Sequence, residues 1–194
     1  MLELHHIVIK PAETSLTLTV EDGQITCLSG PYAGRKTELL RAILGLRPVD
    51  NGQISIDGEL LTMLSAPYFR QLMAYVPARL LPIAGEDRLA DVARLLFNIG
   101  CNRREDQAYD VPDESRTWPQ LSASERYTWL VGMARQLHKP IVLIDEPPTP
   151  VEDWAAETVA DHLRHMAADG SAVLVMSQHE HIKSVANQLI QLEI

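Results

Sequence analysis

The residues best suited to chemistry lie in CLSGPYAGRKTELLRAI, residues 27–43. Gly30, Gly34, Lys36 and Thr37 fall at the spacing of a loop that grips a phosphate chain, with Arg35 where such loops carry glycine. A loop of this kind works when a strand leads into it and a helix leads out. Backbone N–H groups and the positive end of the helix then face the anion. Here an apolar run precedes the loop and a helix-like run follows it. In that setting Lys36 would reach the β- and γ-phosphates and Thr37 would ligate Mg²⁺.

Two neighbours bear on that reading. If Arg35 took φ > 0, its Cβ would cost roughly 1–2 kcal/mol. Its guanidinium would either crowd the phosphate or contact it. Glu38 stands where a small hydroxyl residue would suit a nearby phosphate. A carboxylate there favours an empty helix N-terminus and repels a bound nucleotide. Arg35 and Glu38, three residues apart, are placed to hold each other. The competing reading is a strand–turn–helix that carries Gly and Lys by chance.

A second cluster lies in IVLIDEP, residues 141–147. An apolar strand ends in two carboxylates and a proline. From the end of a buried strand, Asp145 would hold Mg²⁺ through water and Glu146 would polarise an attacking water. The plain alternative is a strand with a polar exit. Upstream, PQLSASERY (119–127) has the form of a capping box, with Ser122 as N-cap and Glu125 reaching back.

The surrounding elements must bring these clusters together. LELHHIVI, SLTLTV and QITCLS are rich in β-branched and apolar residues and read as strands, with His5 and His6 inside the first. A helix is expected over 36–46, where Leu39, Leu40, Ile43 and Leu44 recur at helical spacing. QISIDG and AYVP read as further strands, and LADVARLLFNI as an amphipathic segment before the polar run NRREDQAYDVPDES. A helix is expected from Ser122, another over 153–168 and a short one over 181–188. IVLID and AVLVMS are unbroken apolar runs, as expected of strands covered on both faces, and LIQLEI closes the chain. Helices alternating with buried strands imply an α/β fold with a parallel sheet.

Composition narrows the function. A chain of 194 residues suggests one domain, and 46% hydrophobic residues supply a core. The formal net charge of −9 argues against nucleic acid as a partner, since a polyanion needs a basic stripe. Arg103 and Arg104 are followed at once by Glu105 and Asp106. Cys27 and Cys101 make no disulfide framework, and Cys27 reads as a buried small hydrophobe. The N-terminus has no signal-peptide pattern, and no stretch approaches the roughly 20 apolar residues of a membrane span. A cytosolic protein is expected. His162 and His165, three apart on one helix, with His179 and His181 nearby, would need a further ligand of defined geometry to make a zinc site. Trp118, Trp129 and Trp154 read as packing residues in or beside helices.

Taken in order, the motifs resemble the nucleotide-binding domain of ABC-family ATPases over nearly the whole chain. GPYAGRKT looks like the Walker A motif, LSASE the signature and IVLIDEP the Walker B strand. TPVE (149–152) sits where the D-loop would be, and His179 in MSQHE looks like the switch histidine. The resemblance implies a RecA-like P-loop NTPase core with a parallel sheet, an antiparallel β subdomain and a small inserted helical subdomain. The core would span about 1–80 and 136–194, and the insert about 81–135.

It also implies that ATP and Mg²⁺ bind at Gly30, Gly34, Arg35, Lys36, Thr37 and Glu38, with the metal on Thr37 and Asp145. Glu146 and His179 would be catalytic. Ser122 would contact phosphate across a homodimer, or a heterodimer with a related subunit. A membrane permease would be the further partner, holding the protein on the inner face of the membrane. The chain departs from the pattern at Ala33, Arg35, Ala123 and Ser124, which replace glycines, and at Ala78, which replaces a glutamine. No aromatic stands where adenine would stack. Slow or partner-dependent hydrolysis is the expectation, with a non-catalytic module paired with a competent subunit as the alternative.

Overall fold

The computed structural model describes residues 1–10, 15–31, 33–78, 88–97, 116–146 and 151–192. Cys101, Arg103, Arg104, positions 102–115 of the polar run, Pro147 and positions 149–150 of the TPVE stretch lie outside the described residues.

Strand-forming runs separated by turn residues build two sheets. β1 (Leu2–Val8), β2 (Leu16–Val20), β4 (Asn51–Ile56) and β5 (Glu59–Leu60) form an antiparallel sheet in the order β2-β1-β4-β5. His5 and His6 lie on β1 as expected, and the register shifts between His5 and Val8, where His6 has φ 49°. β3 (Ile25–Ser29), β6 (Met73–Val76), β7 (Ile141–Ile144), β8 (Ala172–Met176) and β9 (Gln188–Gln191) form a parallel sheet in the order β6-β7-β8-β3-β9.

Both faces of the parallel sheet are covered, and side chains sort between them with period 2. On β7, Ile141 and Leu143 enter one core while Val142 and Ile144 enter the other. The same division puts Leu174 and Met176 of β8 opposite Val173 and Val175. This is why these strands read as unbroken apolar runs.

One core lies between the two sheets and holds α1 (Ala33–Ile43), whose Leu39, Leu40 and Ile43 pack with Leu2, Leu4, Leu28 and Leu143. The helix starts and ends three residues earlier than expected. Its end is set by Gly45, at φ 63°, where a Cβ would stand 2.4 Å from the Cβ of Ala66. Leu46 N–H donates to the Arg41 carbonyl at 2.9 Å and Gly45 N–H to that of Ala42 at 2.9 Å, closing the last turn. Ala66 begins α2 (Ala66–Gln71), a short helix with no sequence signal beyond Pro67 in its first turn.

The other core lies under α4 (Ala123–Gln136) and α5 (Asp153–Ala168), joined by α3 (Leu89–Phe97). Trp118 and Trp129 pack edge to face here, centroids 5.8 Å apart, as packing residues should. Trp154 does not: it is 47% exposed, and its indole donates to Glu152. α6 (Glu180–Ser184) is shorter than expected because β9 begins pairing at Gln188, beside Thr26.

Candidate functional site

A parallel sheet brings the carboxyl ends of its strands to one edge, where ligands bind in open α/β folds. Here β3 delivers Gly30, β6 leads to Ala78, β7 delivers Asp145 and Glu146, and β8 leads to Ser177, Gln178 and His179. The loop after β3 opens α1, so Lys36 and Thr37 stand in the helix's first turns, facing the β7 carboxylates.

Lys36 has no solvent exposure. A buried ammonium requires partners, and it has two. Its Nζ donates to the Gly30 carbonyl at 3.0 Å and is ion-paired with Glu146. Thr37 Oγ1 donates to Asp145 Oδ2 at 2.7 Å. Glu146 also accepts the Gln178 N–H at 2.6 Å, and its own N–H donates to Asp145 Oδ1 at 3.0 Å. Burial raises the Asp145 carboxyl above the usual range, against hydrogen bonds from Thr37 and the Glu146 and Ala78 amides and the charge of Lys36. Lys36, Thr37, Asp145 and Glu146 therefore meet in one knot, though more than a hundred residues separate the two pairs.

Gly30 is required where it stands. Its φ is 153°, and a Cβ there would lie 2.9 Å from the Leu192 carbonyl oxygen. Arg35 lies within α1 and is not among the residues with positive φ, so the backbone strain considered for it does not arise. Glu38 is not held by Arg35. Its partners are Arg41 and Arg47, each at 2.6 Å, and the Arg47 hydrogen bond leads in holding its carboxyl below the usual range. Helix order favours Arg41, because an acidic residue N-terminal to its basic partner is the better arrangement, and Arg47 returns from the chain beyond Gly45. Gly34 lies in the first turn of α1.

Among the described residues the remaining candidates make no side-chain bond to the knot. Ser122 caps α4, accepting the Glu125 N–H at 3.1 Å while Glu125 accepts the Ser122 N–H at 2.7 Å. Among the described residues its hydroxyl has no bond to the knot. His179 sits one residue after Gln178, its Nε2 3.3 Å from Asp153 Oδ1 and its ring stacked on His181 at 5.5 Å. His165 Nδ1 lies 2.7 Å from the Asp161 carbonyl, and no group of three or more potential metal ligands occurs among the described residues. Cys27 is buried, its thiol 3.7 Å from the Ser177 carbonyl and pushed up to about 11, chiefly by burial.

Sequence reasoning missed the backbone half of the site: the Gly30 carbonyl and the Gln178 and Ala78 amides carry no side-chain signature. Tyr127 of α4 is also buried, with a hydroxyl that has no partner among the described residues.

The donor set fits a small hard cation. Thr37 Oγ1 and Asp145 Oδ2 present oxygen atoms 2.7 Å apart at the start of a helix, beside a further carboxylate. The fully buried Lys36 in the first turn of α1 fits a phosphate chain.

Comparison with known proteins agrees. The family model described as ABC transporter matches residues 14–149. The ATP-binding protein of a manganese transport system from Listeria innocua is 28% identical, over 91% of this chain and 78% of its own. A cytochrome c biogenesis ATP-binding export protein from Nitrosomonas europaea is 29% identical, over 88% of this chain and 83% of its own. In fold, a putative ABC transporter ATP-binding protein from Pyrococcus furiosus superposes with TM-score 0.80 at 18% identity, over 98% of this chain and 96% of its own. A dimeric ATP-binding cassette bound to ADP and Pi superposes with TM-score 0.77 at 19% identity, over 100% and 94%. Motif order, fold and a family match across most of the chain converge: this protein belongs to the ABC transporter family, as a nucleotide-binding domain.

Proposed function

We propose that this protein binds ATP and hydrolyses it to drive a separate membrane permease, as the ATP-binding subunit of an ABC transport system. The observation that carries this reading is the knot of Lys36, Thr37, Asp145 and Glu146 at the carboxyl edge of the parallel sheet. Lys36 binds the β- and γ-phosphates, exchanging the Gly30 carbonyl and Glu146 for phosphate oxygens. Thr37 and Asp145 hold Mg²⁺, which when bound neutralises charge that builds on the phosphates. Glu146, freed from Lys36, takes a proton from the attacking water. His179 contacts the γ-phosphate. Gly30, Gly34 and Arg35 frame the phosphates with backbone and charge, and Glu38, already neutralised by two arginines, lies at the edge of this frame.

Ser122 meets the phosphate of a second copy, or of a related subunit, so that two chains close on the nucleotide. In this reading residues about 81–135 are the inserted helical subdomain, and the permease docks near it and Ala78. No helix among the described residues is long and apolar enough to cross a membrane. The protein would be held at the inner face of the membrane by its permease, with no nucleic acid partner.

The test is phosphate release from purified protein beside a Glu146→Gln variant. A wild-type rate at least about a hundredfold above the variant is expected for loss of the water-activating group. Equal background rates would support the second reading, a non-catalytic module paired with a competent subunit. Ser124 favours that second reading: its Oγ accepts the Glu152 N–H at 3.2 Å, at a position where the family carries glycine.

A further inference from the structure

Glu146 has its partners before any nucleotide arrives, so binding must give it new ones. Lys36 and the Gln178 amide satisfy it now. A phosphate chain that takes Lys36 removes the only cation bonded to this carboxylate among the described residues and leaves a part-buried charge in need of a donor.

One buried donor in the adjoining core is unused. Tyr127 is 3% exposed, and its hydroxyl has no hydrogen-bond partner among the described residues. Such a group is costly and calls for an explanation. Its position supplies one. Tyr127 belongs to the buried core cluster that also holds Cys27, Val76, Ile144 and Val175, near the carboxyl ends of the strands that deliver the site. One helical turn earlier, Ser124 binds the Glu152 amide, which ties this face of α4 to the chain that follows Glu146. Burial, then the charges of Glu146 and Asp145, raise the phenol well above the usual tyrosine range, so the hydroxyl keeps its proton.

We propose that Tyr127 is a positioning residue for Glu146: its hydroxyl donates to the carboxylate once a phosphate group has drawn Lys36 away. The orphan hydroxyl of the ligand-free protein is then the partner reserved for the ligand-bound one. The helix that begins at Ser122 would thereby sense nucleotide within its own chain. This inference rests on the nucleotide reading of the Lys36 knot.

Tyr127→Phe keeps the ring and removes only the hydroxyl. Thermal melting with and without Mg²⁺ and a non-hydrolysable ATP analogue tests it in wild type, Tyr127→Phe, Glu146→Ala and the double variant. Without nucleotide, Tyr127→Phe is expected to melt at or above wild type, since no bond is lost. With nucleotide, its upward shift is expected to be smaller than wild type's. In the Glu146→Ala background the hydroxyl should make no further difference. Phosphate release should fall about tenfold with KM unchanged. Equal nucleotide shifts and equal turnover in wild type and Tyr127→Phe would overturn the proposal. So would a Tyr127→Phe that melts well below wild type without nucleotide and keeps the full shift, because the hydroxyl would then serve the resting fold. If wild type shows no nucleotide shift at all, the nucleotide reading fails first and takes this inference with it.

Discussion

Two parts of the molecule carry family motifs and are built in opposite ways. The Lys36 knot is long-range: the two bonds that join its halves span 108 and 110 positions, around a lysine with no exposed surface. The Ser122 cap is local: its bonds join residues three positions apart on an exposed helix end. The knot exists only if the whole sheet is assembled, because β8 must lie between β7 and β3. The cap would form on any helix with the same first turn. A motif written in tertiary contacts is therefore strong evidence of function once the fold is seen. A motif that doubles as a cap needs a second measurement.

Lys36→Met should break the contrast most sharply. It leaves the Glu146 carboxylate part-buried and unpaired, a loss on the order of 3–5 kcal/mol. Urea unfolding should show that loss, and the double variant Lys36→Met/Glu146→Leu should recover most of it. A single variant as stable as wild type would mean that the knot is not held by this pair.

α4 can be perturbed from its far side, where a Cβ on Gly132 would stand 3.4 Å from His162 Nε2. Burial, then the charge of Arg135, lowers the His162 imidazole to about 4. The folded state thus binds the proton less readily than the unfolded chain. Its contribution is present in full above the unfolded value of 6.5 and fades as pH falls toward about 4. Melting curves should show up to about 3 kcal/mol lost across that window. In His162→Gln the slope should flatten; an identical slope in the variant would assign the acid sensitivity elsewhere.

Gly30→Ala places a Cβ against the Leu192 carbonyl and should cost roughly 1–2 kcal/mol. Nucleotide affinity by calorimetry should fall with it; unchanged affinity would place the phosphate path away from Gly30. The smallest effect is the most diagnostic. Ser122→Ala should lose about 1 kcal/mol as a cap. Ser122→Asp keeps the cap and adds a negative charge, so stability should hold while phosphate release falls about tenfold or more. Turnover unchanged in Ser122→Asp would leave Ser122 as a cap alone.

Much of this was legible beforehand. Strand β7 and helix α5 were readable because one is an unbroken apolar run and the other repeats Val159, Leu163 and Met166 on one face. The pairing of Lys36 with Glu146 was not, since no local pattern says which carboxylate a buried ammonium will choose. The partners of Glu38 depended on a glycine turn that brings Arg47 back along α1. α2 escaped notice because six residues carry too little periodicity to stand out from a turn. Trp154 was misread because helical spacing alone cannot tell a buried face from an exposed first turn.

Among the described residues β9 is an edge strand, bonded only to β3, and its end lies against the first residue of the phosphate loop. Amide hydrogen exchange can therefore serve as a remote gauge of the site. If nucleotide tightens the loop around Gly30, the slowing should spread along Leu189 to Gln191, well away from the carboxylates. The last strand of the sheet would then act as a dial that reads occupancy without touching the ligand.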